Sequence, residues 1–99
     1  MEYGYDPAKD TELRQRRGVG FDDVAVEVFG GVHLVSLKTD DPEQYRAIGW
    51  FKEKLWTIIF EDIDDDLGEL RWLVTFWPAT TSERDEYERA KGKGFHRRS

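Results

Sequence analysis

The chain contains no cysteine, and its 99 residues include only three prolines, two histidines and one methionine. The absence of cysteine excludes disulfide bonds and thiolate metal sites. Two histidines cannot form a typical catalytic zinc site without help from carboxylates. No apolar run approaches the ~18 residues that a membrane-spanning helix needs, and the acidic start does not resemble a signal peptide. We therefore expect a cytoplasmic protein that uses neither a metal nor another cofactor.

Charge is abundant, and the two signs are unevenly distributed. The chain has 15 basic and 21 acidic side chains, which gives a formal charge of −6. Residues 91–99 hold four of the basic side chains and no acid, so residues 1–90 carry 11 basic and 21 acidic ones, a charge of −10. A body this acidic repels nucleic acid at long range and favours a basic protein partner. An RNA-binding function would therefore need a local basic patch.

Two helices are predicted near the start of the chain. Asp6-Pro7 is typical of a helix start, because aspartate accepts free backbone N–H groups and proline is tolerated at the first helical position. This helix should run to about Arg17 and end at Gly18. The second helix should end at Gly30-Gly31, and its apolar residues recur at the spacing of one helical face. That face consists of Phe21, Val24, Ala25, Val28 and Phe29.

Four strands are expected in the middle of the chain, where runs of apolar, β-branched and aromatic residues alternate with turn residues. The strands are predicted at 32–37, 45–51, 55–63 and 69–77, with a short edge strand or an extended segment at 2–5 and turns at 40–42, 52–54 and 64–68. Gly49 is expected to mark a bulge. The last strand has apolar residues on both faces and should be central, with Leu73 and Phe76 on opposite faces by strict alternation.

A final helix is predicted from Thr80, which has the capping-box spacing to Glu83, to a stop at Gly92. Helices, a short antiparallel sheet of about four strands and a last helix together indicate an α+β fold in two layers. We expect residues 1–91 to form a single domain. Residues 92–99 are basic and contain glycine, and we expect them to be a flexible tail.

A run of acids, from Asp62 to Glu69, lies between the last two predicted strands. A calcium-binding EF-hand loop requires glycine at its sixth position and glutamate at its twelfth, and counting from Asp62 these positions are Leu67 and Leu73. The pattern therefore favours a solvated hairpin turn over a metal site. Two further interpretations are protection of a sheet edge against unwanted pairing and docking of a basic partner.

The basic side chains are the main candidates for chemistry. Metal-free RNA cleavage needs a base for the 2′-hydroxyl, cations for the charge that develops on the phosphate, and an acid for the leaving oxygen. Arginine and lysine can supply the cations, and Glu43 or Glu83 can supply the base. The alternative is that these are ordinary surface charges, with Glu83 acting only as a helix cap.

Aromatic residues make up 14% of the chain and include four tryptophans, which invites two interpretations. Exposed aromatic rings can stack on unpaired bases. Tryptophan is also enriched in cores and at protein interfaces, and we favour that interpretation. Trp77, at the end of the last predicted strand, is the strongest interface candidate.

Several short motifs, taken together, resemble the BrnT family of toxins from bacterial toxin–antitoxin pairs. The motifs are Tyr5-Asp6-Pro7-Ala8-Lys9, the segment from Gly18 to Ala25, Ile48-Gly49, and the ending from Ala79 through Glu83-Arg84 to Tyr87. They come in the family's order and span residues 3–90. The resemblance implies a compact RelE-like fold, RNA cleavage that inhibits translation and growth, and a BrnA-like antitoxin that covers the active face and helps to repress the shared operon.

The departures from the family pattern fall on charged positions. Arg16-Arg17 stand where the family commonly has Lys-His, and Glu43-Gln44 stand where it has Glu-Arg. Trp77 occupies the position of a family arginine. Loss of a histidine and two arginines would weaken a reaction that depends on stabilising charge. The alternative to an endoribonuclease is therefore a weak or inactive member that binds a protein on the same fold.

The resemblance and the charge pattern together predict two sets of functional residues. The predicted catalytic residues are Lys9, Arg16, Arg17, Glu43, Arg46 and Arg71, with cationic roles for all except Glu43. The predicted partner-binding residues are Trp77, Glu83, Arg84 and Tyr87. We expect an antitoxin as protein partner, RNA as a second partner of the toxin, and self-association of the chain as a further option.

Overall fold

The computed structural model describes residues 2–40, 43–65 and 68–92. Its elements are β1 (Glu2–Tyr5), α1 (Pro7–Arg17), α2 (Phe21–Gly30), β2 (His33–Asp40), β3 (Glu43–Phe51), β4 (Lys54–Asp65), β5 (Gly68–Pro78) and α3 (Thr81–Gly92). Parts of two predicted turns, at 41–42 and 66–67, and the predicted tail from residue 93 onward lie outside the described residues. The expected α+β class and the three helices are confirmed.

The five strands form one sheet in the order β1-β5-β4-β3-β2. β1 runs parallel to β5, whereas the other neighbours are antiparallel. The sheet is therefore mixed, because the segment at 2–5 joins it as a strand. β5 pairs on both sides, as its two partly apolar faces predicted.

α1 begins and ends at the residues that the sequence predicted. The Asp6 carboxylate accepts a hydrogen bond from the Ala8 backbone N–H at 2.9 Å, which satisfies one of the free donors of the first turn of α1. Gly18 ends α1 at φ 83°, and its N–H donates to the Arg14 carbonyl at 2.9 Å. This left-handed conformation favours glycine.

Helices cover both faces of the sheet, so the described elements form three layers and the expectation of two layers was wrong. α1 and α2 lie over one face, hereafter the α1/α2 face, and the main core lies between them and the sheet. That core contains Leu13, Phe21, Val24, Ala25, Val28, Ala47, Phe51, Trp56, Ile58, Phe60, Leu73 and Phe76. α3 covers the opposite face, hereafter the α3 face, over a smaller core of Ile48, Leu55 and Tyr87.

Gly49 does not form the bulge that its position in a strand predicted. It pairs regularly with His33 on one side and Trp56 on the other. A Cβ atom at this position would lie 2.9 Å from Cγ1 of Val28. Glycine therefore allows α2 to approach the sheet closely.

A bulge lies instead in β5. Ile59 pairs with Thr75 while the next residue, Phe60, pairs with Leu73, so Val74 is an extra residue on the β5 side. The prediction of strict alternation in this strand was wrong, because the extra residue places both Leu73 and Phe76 in the main core.

The hairpin between β3 and β4 has a two-residue turn. Lys52 and Glu53 adopt φ values of 52° and 63°, the left-handed region that both central positions of a type I′ turn require. Neither residue type favours this region. No helix in the described part of the chain is long and apolar enough to cross a membrane.

Candidate functional site

The fold divides the predicted catalytic residues between the two faces of the sheet. α1 carries three of them, and two more lie on strands of the α1/α2 face. Arg46 is on the α3 face, where its guanidinium contacts carboxylates of α3. The six residues therefore do not form one cluster. The set on the α1/α2 face is Lys9, Arg16, Arg17, Glu43 and Arg71.

Two of the three basic residues on α1 share a carboxylate. Lys9 Nζ lies 3.7 Å from Glu12, and Arg16 Nη2 lies 2.8 Å from the same side chain. These exposed ion pairs contribute little to stability, and a phosphate group could displace them. Arg17 is half-buried, and its Nε has no hydrogen-bond partner among the described residues.

Arg71 is held on the sheet by a carboxylate and two aromatic rings. Its guanidinium donates to both Asp62 carboxylate oxygens, at 2.7 and 3.0 Å. It also lies 4.7 Å from the Phe29 ring centroid and 4.4 Å from that of Phe60. Such stacking suits the flat, weakly hydrated guanidinium. The aromatic rings therefore fix the position of the cation, which the sequence pattern alone did not indicate.

Tyr45 connects Glu43 to the aromatic ring that Arg71 contacts. The Tyr45 ring stacks on the Phe60 ring at 5.6 Å, so Tyr45 and Arg71 contact the same aromatic side chain. The interaction of the Tyr45 hydroxyl with the Glu43 carboxylate raises the pKa of the phenol. The Arg71 cluster, defined as Phe29, Glu43, Tyr45, Phe60, Asp62 and Arg71, thus unites a carboxylate, a protonated phenol and a cation.

Tyr45 was not among the predicted residues. It stands two positions from Glu43, and residues at this spacing in a strand point to the same face. That spacing was the available signal. The tyrosine contributes a proton donor beside Glu43 and contacts the same ring as Arg71.

On the α3 face, Arg46 forms a bridge between the sheet and α3. Its Nη2 donates to both Glu86 carboxylate oxygens, at 2.8 and 3.1 Å, and to Ser36 Oγ at 3.3 Å. Its Nη1 lies 3.9 Å from Glu83. Arg46 therefore attaches α3 to the sheet through hydrogen bonds and ion pairs.

Glu83 is a buried carboxylate that accepts several hydrogen bonds. It is 7% exposed and accepts hydrogen bonds from Thr57 Oγ1, Trp77 Nε1 and the Thr80 N–H, at 2.8, 3.1 and 2.8 Å. Burial favours its neutral form, but the hydrogen bonds from Thr80, Thr57 and Trp77 outweigh burial and lower its pKa. The Glu83 N–H also donates to Thr80 Oγ1, which completes the predicted capping box. These contacts favour the helix-cap role over that of a general base.

Of the predicted partner-binding residues, Arg84 lines a groove beside α3. The groove has a volume of about 350 Å³ and is lined by Trp50, Glu53, Lys54, Leu55, Pro78, Ala79 and Arg84. Arg84 has no carboxylate partner among the described side chains. Tyr87 does not line the groove; it is buried and packs edge-on against Trp50 with the ring centroids 6.5 Å apart.

Trp50, which was not predicted as a site residue, is 46% exposed. Trp77 is half-buried, and its indole N–H is engaged by Glu83. Trp50 therefore offers a more accessible indole than Trp77 for a docking partner. Its place just before a hairpin turn was the only sequence signal for this exposure.

No group of three or more histidine, aspartate or glutamate side chains within 2–40, 43–65 and 68–92 is arranged to hold a metal ion. No protein-family model matches the chain. No curated protein matches it at a significant level either. A function is therefore inferred from the clusters described above and from the motif resemblance.

Proposed function

We propose that this chain is a BrnT-like toxin of a toxin–antitoxin pair, which cleaves RNA without a metal in the cytoplasm and is neutralised by a BrnA-like antitoxin. The observation that carries the proposal is the Arg71 cluster, in which Tyr45 and Arg71 contact the same aromatic ring and Glu43 interacts with the Tyr45 hydroxyl. The order of the family motifs supports the same class. A RelE-like fold is part of this proposal.

The three side chains match the three needs of RNA cleavage by the 2′-hydroxyl. Glu43 takes the proton of the 2′-hydroxyl, whose oxygen forms a bond to phosphorus as the bond from phosphorus to the 5′ oxygen breaks. Arg71 stabilises the charge on the phosphate oxygens, and Tyr45 donates a proton to the departing 5′ oxygen. Glu43 then returns the proton that it took to the phenol, leaving a 2′,3′-cyclic phosphate and a 5′-hydroxyl.

The negative charge of residues 1–90 limits how readily RNA can bind. RNA must displace Asp62 from Arg71 before its phosphate can bind, and the acidic surface weakens its approach. We therefore expect slow cleavage that is faster at moderate salt than at very low salt, because salt screens the overall repulsion.

The experiment is tightly induced expression in a bacterial host, with growth and total RNA integrity followed together. We expect growth arrest with RNA loss, and we expect both effects to disappear in Arg71→Ala. Arg89→Ala, on the exposed side of α3, is the matched control and should remain toxic. Unimpaired growth with folded, soluble wild-type protein and intact RNA would contradict the proposal. If expression of Arg46→Ala no longer arrested growth while Arg71→Ala still did, the catalytic site would lie on the α3 face.

Tyr45→Phe tests the acid role more narrowly. The substitution keeps the ring that stacks on Phe60 and removes only the hydroxyl, so folding should be unchanged. We expect cleavage of a defined RNA to fall by roughly 10²-fold, the effect of losing a general acid. Circular dichroism provides the control for folding. Unchanged cleavage by Tyr45→Phe would remove Tyr45 from the mechanism.

A second candidate function is protein binding without catalysis, favoured by the exposure of Trp50 beside Arg84. Large aromatic and arginine side chains in a desolvated pocket often dominate binding energy. The negative body would speed the approach of a basic partner. On this alternative, the protein partner binds in the groove beside α3.

The protein-binding candidate is tested by co-purification with the product of the neighbouring open reading frame. Trp50→Ala and Arg84→Glu should each weaken the complex by about tenfold or more, equivalent to about 1.4 kcal/mol. Arg89→Glu reverses a charge on the same helix outside the groove and is the matched control. A complex that tolerates both groove variants would place the partner elsewhere.

A further inference from the structure

The outer edge of the sheet is formed by β2, which pairs only with β3 among the described strands. An unpaired edge offers backbone N–H and C=O groups to another strand. Natural proteins protect such edges with charge, proline or bulges. In β2 the first charged residue is Lys38, where a register irregularity interrupts the ladder. Residues 33–37 therefore form an edge without these protections.

This edge also exposes apolar side chains. Val35 is 46% exposed and Leu37 is 50% exposed. Their partners across the ladder, Ala47 and Tyr45, lie on the α1/α2 face, so Val35 and Leu37 share that face. Together they form an apolar strip beside an open row of backbone hydrogen-bonding groups.

We propose that this edge pairs with the same edge of a second copy of the chain, in an antiparallel register centred on Val35. In this register Val35 faces Val35 of the second copy, Leu37 faces His33, and Leu34 faces Ser36. Paired residues then share a face of the joined sheet, as antiparallel pairing requires. The ten strands of two copies would form one continuous sheet.

The neutral, apolar composition of the edge makes it self-complementary and favours a second copy as the occupant. Residues 33–37 contain no acid and no lysine or arginine, so the edge is complementary to a neutral, apolar strand and not to a basic or an acidic one. Lys38 would face Val32 at the end of the pairing, where its ammonium can remain in solvent. Each copy carries a net charge of −6, so salt should strengthen the association by screening the repulsion between copies. Docking of a basic partner would show the opposite salt dependence.

The absence of native cysteine allows a direct test of the register. A Val35→Cys variant should form an intermolecular disulfide under mild oxidation, because the two residues would face each other within the Cα distance that a disulfide spans. Leu37→Cys is the matched control. In the proposed register its two copies lie about 14 Å apart, beyond disulfide reach, and it should remain unlinked.

Sedimentation of the wild-type chain completes the test. We expect a dimer at high protein concentration that is strengthened by salt and weakened about tenfold or more by Val35→Lys, but not by Val26→Lys on the exposed side of α2. A wild-type monomer at every accessible concentration and salt would overturn the proposal, as would equal cross-linking of the two cysteine variants. Protection of the β2 amides only after addition of the neighbouring gene product would assign the edge to that protein instead.

Discussion

At the scale of single residues, Glu83 connects two sheet strands and a helix. Its carboxylate receives the Thr57 hydroxyl from β4, the Trp77 indole from β5 and the Thr80 N–H ahead of α3. Charge-assisted hydrogen bonds of this kind are stronger than neutral ones. The ionised carboxylate therefore stabilises the packing of α3 on the sheet.

Replacing Glu83 with glutamine should lower the free energy of unfolding by about 1–3 kcal/mol, because the buried donors lose a charged acceptor. Urea unfolding at neutral pH measures this change. Glu86→Gln is the control, and its more exposed ion pair with Arg46 should contribute less than about 1 kcal/mol. An equal loss in both variants would contradict the role assigned to burial.

The lowered pKa of Glu83 predicts a pH dependence with a definite sign. The folded state binds the Glu83 proton less readily than the unfolded state, whose carboxyl has the ordinary pKa of 4.5. The stabilising contribution is therefore complete above that value and is lost as pH falls through the lower pKa of the folded protein. Glu83→Gln should flatten the acid limb of the stability curve, as measured by urea unfolding across this range.

At the scale of elements, the hairpin from β3 to β4 has a favourable length but an unfavourable sequence. Two-residue hairpins prefer Asn-Gly because both central residues need positive φ. Lys52 and Glu53 adopt that conformation without the side chains that favour it. The hairpin therefore stores backbone strain next to Trp50 and the groove.

Replacement of Lys52-Glu53 by Asn-Gly should stabilise the protein by about 1 kcal/mol or more, because it relieves two left-handed non-glycine residues. Thermal unfolding measures the gain. A double alanine variant removes the same charges but keeps the strain, so its melting temperature should not rise. A gain in the alanine variant would point to charge and not to backbone conformation.

The elements also show which structural features local sequence determines. The boundaries of α1 were predictable because Asp6 and Gly18 act on the neighbouring backbone. The bulge at Val74 was not, because it depends on the register between β4 and β5. For the same reason the sequence grouped Arg46 with Arg71, although they lie on opposite faces. The contact of Tyr45 with Phe60 depends equally on how strands pair.

At the scale of the whole molecule, the two helical layers are unequal. α2 places four side chains in the main core, Phe21, Val24, Ala25 and Val28. The buried side chains described in α3 are Glu83 and Tyr87. Because local stability follows buried apolar contact, α3 should open more readily than the other face.

Native-state amide exchange measures this difference. We expect the amides of α3 to exchange through a partial opening with a lower free energy than the amides of β4, which approach the value for global unfolding. Tyr87→Ala should lower the protection of α3 further while changing β4 less. Equal protection of α3 and β4 in the wild-type protein would show that the two layers unfold as one unit.

The parallel pairing of β1 with β5 determines when the sheet is completed during synthesis. Glu2 pairs with Leu70 and Tyr5 with Leu73. β1 therefore cannot pair until a segment almost seventy residues later in the chain has been synthesised. Closing such a long loop slows folding, because its entropy is lost before the contacts form. A ribosome carrying an unfinished chain therefore holds β1 unpaired, and Tyr3 and Tyr5 reach their final places only after β5 has emerged.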